Sequence, residues 1–105
     1  MANLLVGSKE VRLGEDGFML DHTEWDEDVA RRLAQEEGIE ELTPRHWDVI
    51  RYMRQEFKEK GEGPSIRKLK NSGGIPTREL YELFPGGPAK KAARIAGIPK
   101  PHGCI

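Results

Sequence analysis

A mainly α fold, arranged as a small orthogonal helical bundle with an N-terminal β-hairpin and a flexible C-terminal arm, is predicted by three features of this chain. Helix start and stop signals recur from residue 23 onward, around apolar residues at three- and four-residue spacing. Alternation of period two is confined to the stretch 10–20. The last residues contain a Pro-Lys-Pro-His-Gly run that fits neither a helix nor a central strand, because proline lacks an N–H and fixes φ.

The hairpin is expected first. Val11 and Leu13 alternate with polar neighbours, Asp16-Gly17 is a tight-turn pair, and Phe18-Met19-Leu20 returns. Thr23 then reads as an N-cap with Glu24, Asp26, Glu27 and Asp28 at the positive helix end. Trp25, Val29, Ala30 and Leu33 share one face of that helix, which Gly38 ends. Thr43-Pro44 opens a second helix to about Lys60, with a stripe of Trp47, Ile50, Met53 (or Arg54) and Phe57, widened by Val49 and Tyr52.

Gly61-Glu62-Gly63-Pro64 breaks the chain, and Ser65 can cap a short helix holding Ile66 and Leu69. Gly73-Gly74-Ile75-Pro76 breaks it again before a helix capped by Thr77, with Leu80, Tyr81, Leu83 and Phe84. Pro85-Gly86-Gly87-Pro88 is a rigid corner. Pro88 suits a first helical position and Gly97 a C′ position, so 89–96 reads as the final helix. Residues 1–97 then form the folded domain, and residues 98–105 the mobile arm.

With 105 residues, 36% hydrophobic and 33% charged, the chain suits one soluble domain with a modest core. No apolar run approaches the roughly 18 residues a membrane span requires. The start has no small-residue cleavage site, so no secretory signal is expected. One cysteine excludes an internal disulfide and a cysteine-rich zinc site; the cytoplasm is the expected compartment. The net charge of −1 hides an asymmetry: residues 1–62 hold sixteen acids and nine bases, residues 63–105 eight bases and two acids. The basic end, with Lys90, Lys91, Arg94, Lys100 and His102, suits an anionic partner such as an acidic protein groove or RNA.

The lone thiol, Cys104, is penultimate. Most lone cysteines are small buried hydrophobes, but Pro101, His102 and Gly103 offer little apolar surface to bury this one. Extended at roughly 3 Å per residue, the seven residues after Gly97 would let the sulfur swing on the order of 20 Å. A reactive atom on a tether is the design of a carrier.

Other sites are weaker. Gly86-Gly87-Pro88-Ala89-Lys90-Lys91 sets glycines and lysines at a helix start but lacks the P-loop spacing, which favours a structural corner. His22, His46, His102 and Cys104 are too sparse for a structural metal site, so neither metal nor cofactor is expected. A Cys104–His102 pair on an arm does not hold a base in line with a thiol. Arg67, Lys68, Lys70 and Arg78 around the Gly73-Gly74 turn resemble a helix-turn-helix, against which solvated helical packing is the competing account. Trp25 and Trp47 are assigned to the core.

Several blocks carry a family resemblance over nearly the whole length. They are Asp16-Gly17-Phe18, Trp25, Glu37-Gly38-Ile39, Leu42-Thr43, His46-Trp47 and Val49-Ile50, then Leu83-Phe84-Pro85-Gly86-Gly87-Pro88-Ala89-Lys90. The last are Ala96-Gly97-Ile98-Pro99-Lys100-Pro101 and Gly103-Cys104-Ile105. In these the chain resembles the DsrC/TusE family, which spans gamma subunits of dissimilatory sulfite reductase and sulfur carriers of tRNA thiolation. The resemblance implies a helical domain with an N-terminal hairpin, a mobile arm, and Cys104 as a thiol that carries sulfur as a persulfide.

It also implies partners: sulfur-donor and sulfur-acceptor proteins, a sulfite reductase complex, or indirect contact with tRNA. The sulfite-reductase partners of the family carry a second cysteine where Ala93 stands here. Without it the arm cannot close an intramolecular disulfide, so one-cysteine relay chemistry fits better than redox cycling. The segment 71–76 is also shorter than in many relatives. An accessory or regulatory subunit, nucleic-acid binding included, is the alternative.

Overall fold

Two strands and five helices make up the described part of the chain, which in this computed structural model covers residues 3–14, 16–64 and 66–99. Strands β1 (Asn3–Val6) and β2 (Lys9–Arg12) pair antiparallel, with Leu4 opposite Val11 on the buried face. Gly7 at φ +62, followed by Ser8 with negative φ, has the sign pattern of a Gly-X II′ turn, whose twist matches paired strands. The hairpin therefore lies earlier than the 10–20 stretch suggests. There, Leu13 and Met19 form a single bridge around a tight loop in which Gly14 N–H donates to the Phe18 carbonyl at 2.8 Å. Asp16-Gly17 does turn the chain, but β2 already has a partner.

A 3₁₀ turn at His22–Glu24 leads to α1 (Glu27–Glu36). Thr23 does not cap α1. Asp21 caps the 3₁₀ turn, and Asp26 caps α1 by accepting from Val29 N–H at 2.9 Å. Trp25 thus lies in the connection, not on a helix face. Val29, Ala30, Leu33 and Ala34 are the buried stripe. The Asp26 carboxyl is held below its ordinary 3.8 chiefly by the Val29 N–H, with Lys9 assisting at 3.2 Å. A depressed folded-state pKa contributes stability that is complete above the unfolded value and lost as pH falls through the folded one. Asp26→Ala is expected to cost about 1 kcal/mol at neutral pH as a lost cap. Urea melts should show that difference shrinking once the pH drops below 3.8.

Helix α2 (Pro44–Lys60) begins as the sequence indicates, with Thr43 as cap and proline at the first position. His46 completes a capping box: Thr43 N–H donates to His46 Nδ1 at 3.0 Å. The proton therefore sits on Nε2, which donates to the Leu83 carbonyl at 2.9 Å. The buried face is His46, Val49, Ile50 and Met53; Trp47 and Phe57 are half-buried at its margins. Helix α3 (Ile66–Asn71) buries Leu69, while the expected cap Ser65 lies outside the described residues.

Helix α4 (Thr77–Leu83) buries Leu80 and has no side-chain cap. Pro76 occupies the cap position and Thr77 the first helical one. A bidentate pair, Arg45 Nε and Nη2 to Glu79 at 2.8 and 3.0 Å, joins α4 to the start of α2.

Helix α5 (Pro88–Ile95) is the hub, packed against α1, α2 and α4. Ala89, Ala92, Ala93 and Ala96 have no exposed surface, and such small side chains let neighbouring elements approach closely. Its only solvent-facing sector holds Lys90, Lys91 and Arg94. Two Schellman ends of the same make close α1 and α5. Gly38 and Ile39 donate to the Gln35 and Ala34 carbonyls, and Gly97 and Ile98 donate to those of Arg94 and Ala93. Ile98 is fully buried, so the body extends one residue past the expected start of the arm, and Pro99 is the first exposed position.

Candidate functional site

The candidate residues fall at the two ends of α5. At its start, Gly86 and Gly87 have φ of +83 and +140, a conformation closed to ordinary side chains, so both glycines serve the corner. A groove of about 320 Å³ runs between this corner, the 14–18 loop and Glu37. Lys90 is exposed beside it and Lys91 is half-buried.

Arg94 shares this sector but is not a free docking cation. Its Nε donates to the Gly17 carbonyl at 2.9 Å, Nη1 to Glu37 at 3.1 Å and Nη2 to Glu36 at 2.9 Å. Its side chain retains 14% exposure. The residue ties the 14–18 loop and the end of α1 to α5. Four-residue spacing from Lys90 places it on a basic face, but the partners that claim it are 57, 58 and 77 positions away.

At the other end, the helix finishes against Trp25 and Arg54. Trp25 Nε1 donates to the Ile95 carbonyl and Arg54 Nη1 to the Ala96 carbonyl, both at 2.8 Å. Gly97, at φ +73, sits so close to Trp25 that a Cβ there would lie 2.5 Å from the indole Cδ1. Trp25 is half-buried and packs against the core rather than within it, and its polar edge also finishes α5. Arg54 has no role in the sequence reading, where its one signal is a charge that falls at an apolar stripe position.

Lys100, His102 and Cys104 lie outside the described residues. The last described position, Pro99, stands five residues before the thiol. His22 and His46 are far from forming a common site with them in sequence, and His46 spends both ring nitrogens on the Thr43–Leu83 bridge. No helix among the described residues is long and apolar enough to cross a membrane.

Residues 5–105 match the family model described as DsrC like protein. The chain is 36% identical to the gamma subunit of dissimilatory-type sulfite reductase from Nitratidesulfovibrio vulgaris, with all of both chains covered. It is 40% identical to sulfurtransferase TusE of Escherichia coli, over 97% of this chain and 99% of that one. The oxidized DsrC gamma subunit from Archaeoglobus fulgidus superposes with a TM-score of 0.81 at 44% identity, covering 99% and 100% of the two chains. DsrC from Pyrobaculum aerophilum superposes at 0.85 with 41% identity, over 99% and 95%. The helical body with its N-terminal hairpin and a match that continues over the cysteine-bearing end together place this chain in the DsrC-like protein family.

Proposed function

We propose that this protein is a sulfur relay whose Cys104 carries sulfane sulfur as a persulfide between a donor and an acceptor protein. One observation carries the reading: the family match and the full-length relatives run through the end of the chain, across its sole cysteine. The Cys104 thiolate attacks the outer sulfur of a donor persulfide. The donor S–S bond breaks, a new S–S bond forms on Cys104, and the donor leaves as thiolate, with no net oxidation. Delivery repeats the exchange at an acceptor cysteine. A tether beyond Pro99 supplies access; a partner's pocket supplies activation.

Lacking a second cysteine at position 93, the chain has no thiol of its own with which to resolve the persulfide. This favours relay in the manner implied by the TusE name, with any tRNA contact made through the acceptor. A single cysteine with no disulfide partner in its own chain favours the cytoplasm as the compartment. A second reading, an accessory subunit of a sulfite reductase, is favoured by the name of the Nitratidesulfovibrio vulgaris relative. It predicts that Cys104→Ala leaves complex formation intact.

Mass spectrometry after incubation with glutathione persulfide tests the relay, with one added sulfur atom expected on the C-terminal peptide. Lys90 and Lys91, with Lys100 and His102, are assigned to docking on an acidic partner, and Arg94 to holding that face in place. Reversing Lys90 and Lys91 to glutamate should slow encounter with a protein donor by about tenfold at low salt. The loss should fade as salt is raised, while loading from the small persulfide stays unchanged.

A further inference from the structure

The end of the helix that precedes the cysteine is completed by side chains from distant parts of the chain. The final turn of a helix leaves carbonyls without donors. In α5 the backbone serves those of Ala92, Ala93 and Arg94, through the N–H groups of Ala96, Ile98 and Gly97. The donor for Ile95 would be residue 99, a proline with no N–H. Trp25 takes that carbonyl and Arg54 the next, each at 2.8 Å. The Arg54 guanidinium also stacks 4.1 Å from the centre of the Trp25 ring and reaches the His22 carbonyl at 3.4 Å.

Among the described residues, no carboxylate pairs with Arg54. Burial pushes its pKa down, and the compensation comes from carbonyls, the negative end of α5 and an aromatic face. A neutral amide could have bonded one carbonyl without the desolvation penalty of a charge. The planar fork does more: it spans two carbonyls while lying flat on an indole. The clamp therefore fixes Ala96, Gly97 and Ile98 against α2 and the 22–25 connection. Pro99 and Pro101 restrict φ just beyond, and proline-rich segments keep their direction for several residues.

We propose that Arg54 is a positioning residue for sulfur transfer: with Trp25 it sets the direction in which the chain leaves the body, and so the volume that the Cys104 sulfur samples. This rests on the carrier reading of Cys104. The full-length chain is compared with Arg54→Met, which keeps the stem packed on Trp25 and removes the donors, and with Arg54→Lys.

Nitroxides on Cys104 and on a cysteine introduced at exposed Arg32 report the spread of distances, which should widen in Arg54→Met and less in Arg54→Lys. Loading by glutathione persulfide, which needs no docking, should be unchanged. KM for sulfur uptake from a persulfidated rhodanese domain should rise about fivefold at constant kcat, as a smaller fraction of conformers is competent. An unchanged distance spread and KM in a folded Arg54→Met overturns the proposal. If that variant does not fold, Trp25→Phe, which deletes only the indole donor, must show the same widening. Failure of the unsubstituted chain to load from glutathione persulfide removes the carrier reading, while the distance spread still decides the positioning.

Discussion

Cys104→Ser is expected to abolish sulfur loading altogether: one sulfur atom per chain before substitution and none after. The nucleophile in persulfide exchange is a thiolate, and a serine hydroxyl is neither ionised at neutral pH nor able to hold sulfane sulfur. No other thiol in the chain can substitute, because Cys104 is the only one. The measurement is intact-protein mass spectrometry after exposure to glutathione persulfide, with the melting transition of the body as a control for folding. Equal sulfur uptake by Cys104→Ser would overturn the relay reading at its root.

Gly97→Ala is expected to be the most damaging single-methyl change to the fold. Two costs combine. A left-handed residue with a side chain costs roughly 1–2 kcal/mol. The added Cβ would also lie 2.5 Å from Trp25 Cδ1, at the edge of the core, and 2.8 Å from the buried Met19 sulfur. Overpacking of that kind costs about 1–3 kcal/mol. A total near 3 kcal/mol lowers the melting temperature of a domain this size by about 10–20 °C.

Gly38 supplies the control. It closes α1 with the same Schellman geometry at φ +84, yet nothing lies within 4 Å of its missing Cβ. Gly38→Ala should therefore show the backbone cost alone. Equal melting temperatures for the two variants would mean that the Trp25 contact carries no weight.

Signals confined to one helical turn were legible in the chain. Thr43-Pro44 starts α2, Pro88 starts α5, and Gly97 ends it, because a cap, a fixed φ or a left-handed residue acts on backbone groups three or four positions away. Where two local signals compete, spacing in the sequence does not choose between them. Thr23 and Asp26 both qualify as caps, and Asp26 prevails as the side chain that reaches Val29 N–H. Asp16-Gly17 is a stronger turn pair than Gly7-Ser8, yet the paired strands form around the latter. Four residue pairs face each other across the Gly7-Ser8 turn, whereas around the 14–18 loop the strand pairing is the single bridge between Leu13 and Met19.

The amino-acid order alone determined the helical class, the helix starts at residues 44 and 88, and the presence of one thiol at the penultimate position. Only the folded chain decided that Arg94 braces α1 and the 14–18 loop instead of standing free for a partner, and that Trp25 and Arg54 close α5. Caps and turns act through neighbours in sequence, whereas each of these contacts spans 42 to 77 residues. At such separations a charged side chain finds its partner through the packing of whole helices, which no local spacing encodes.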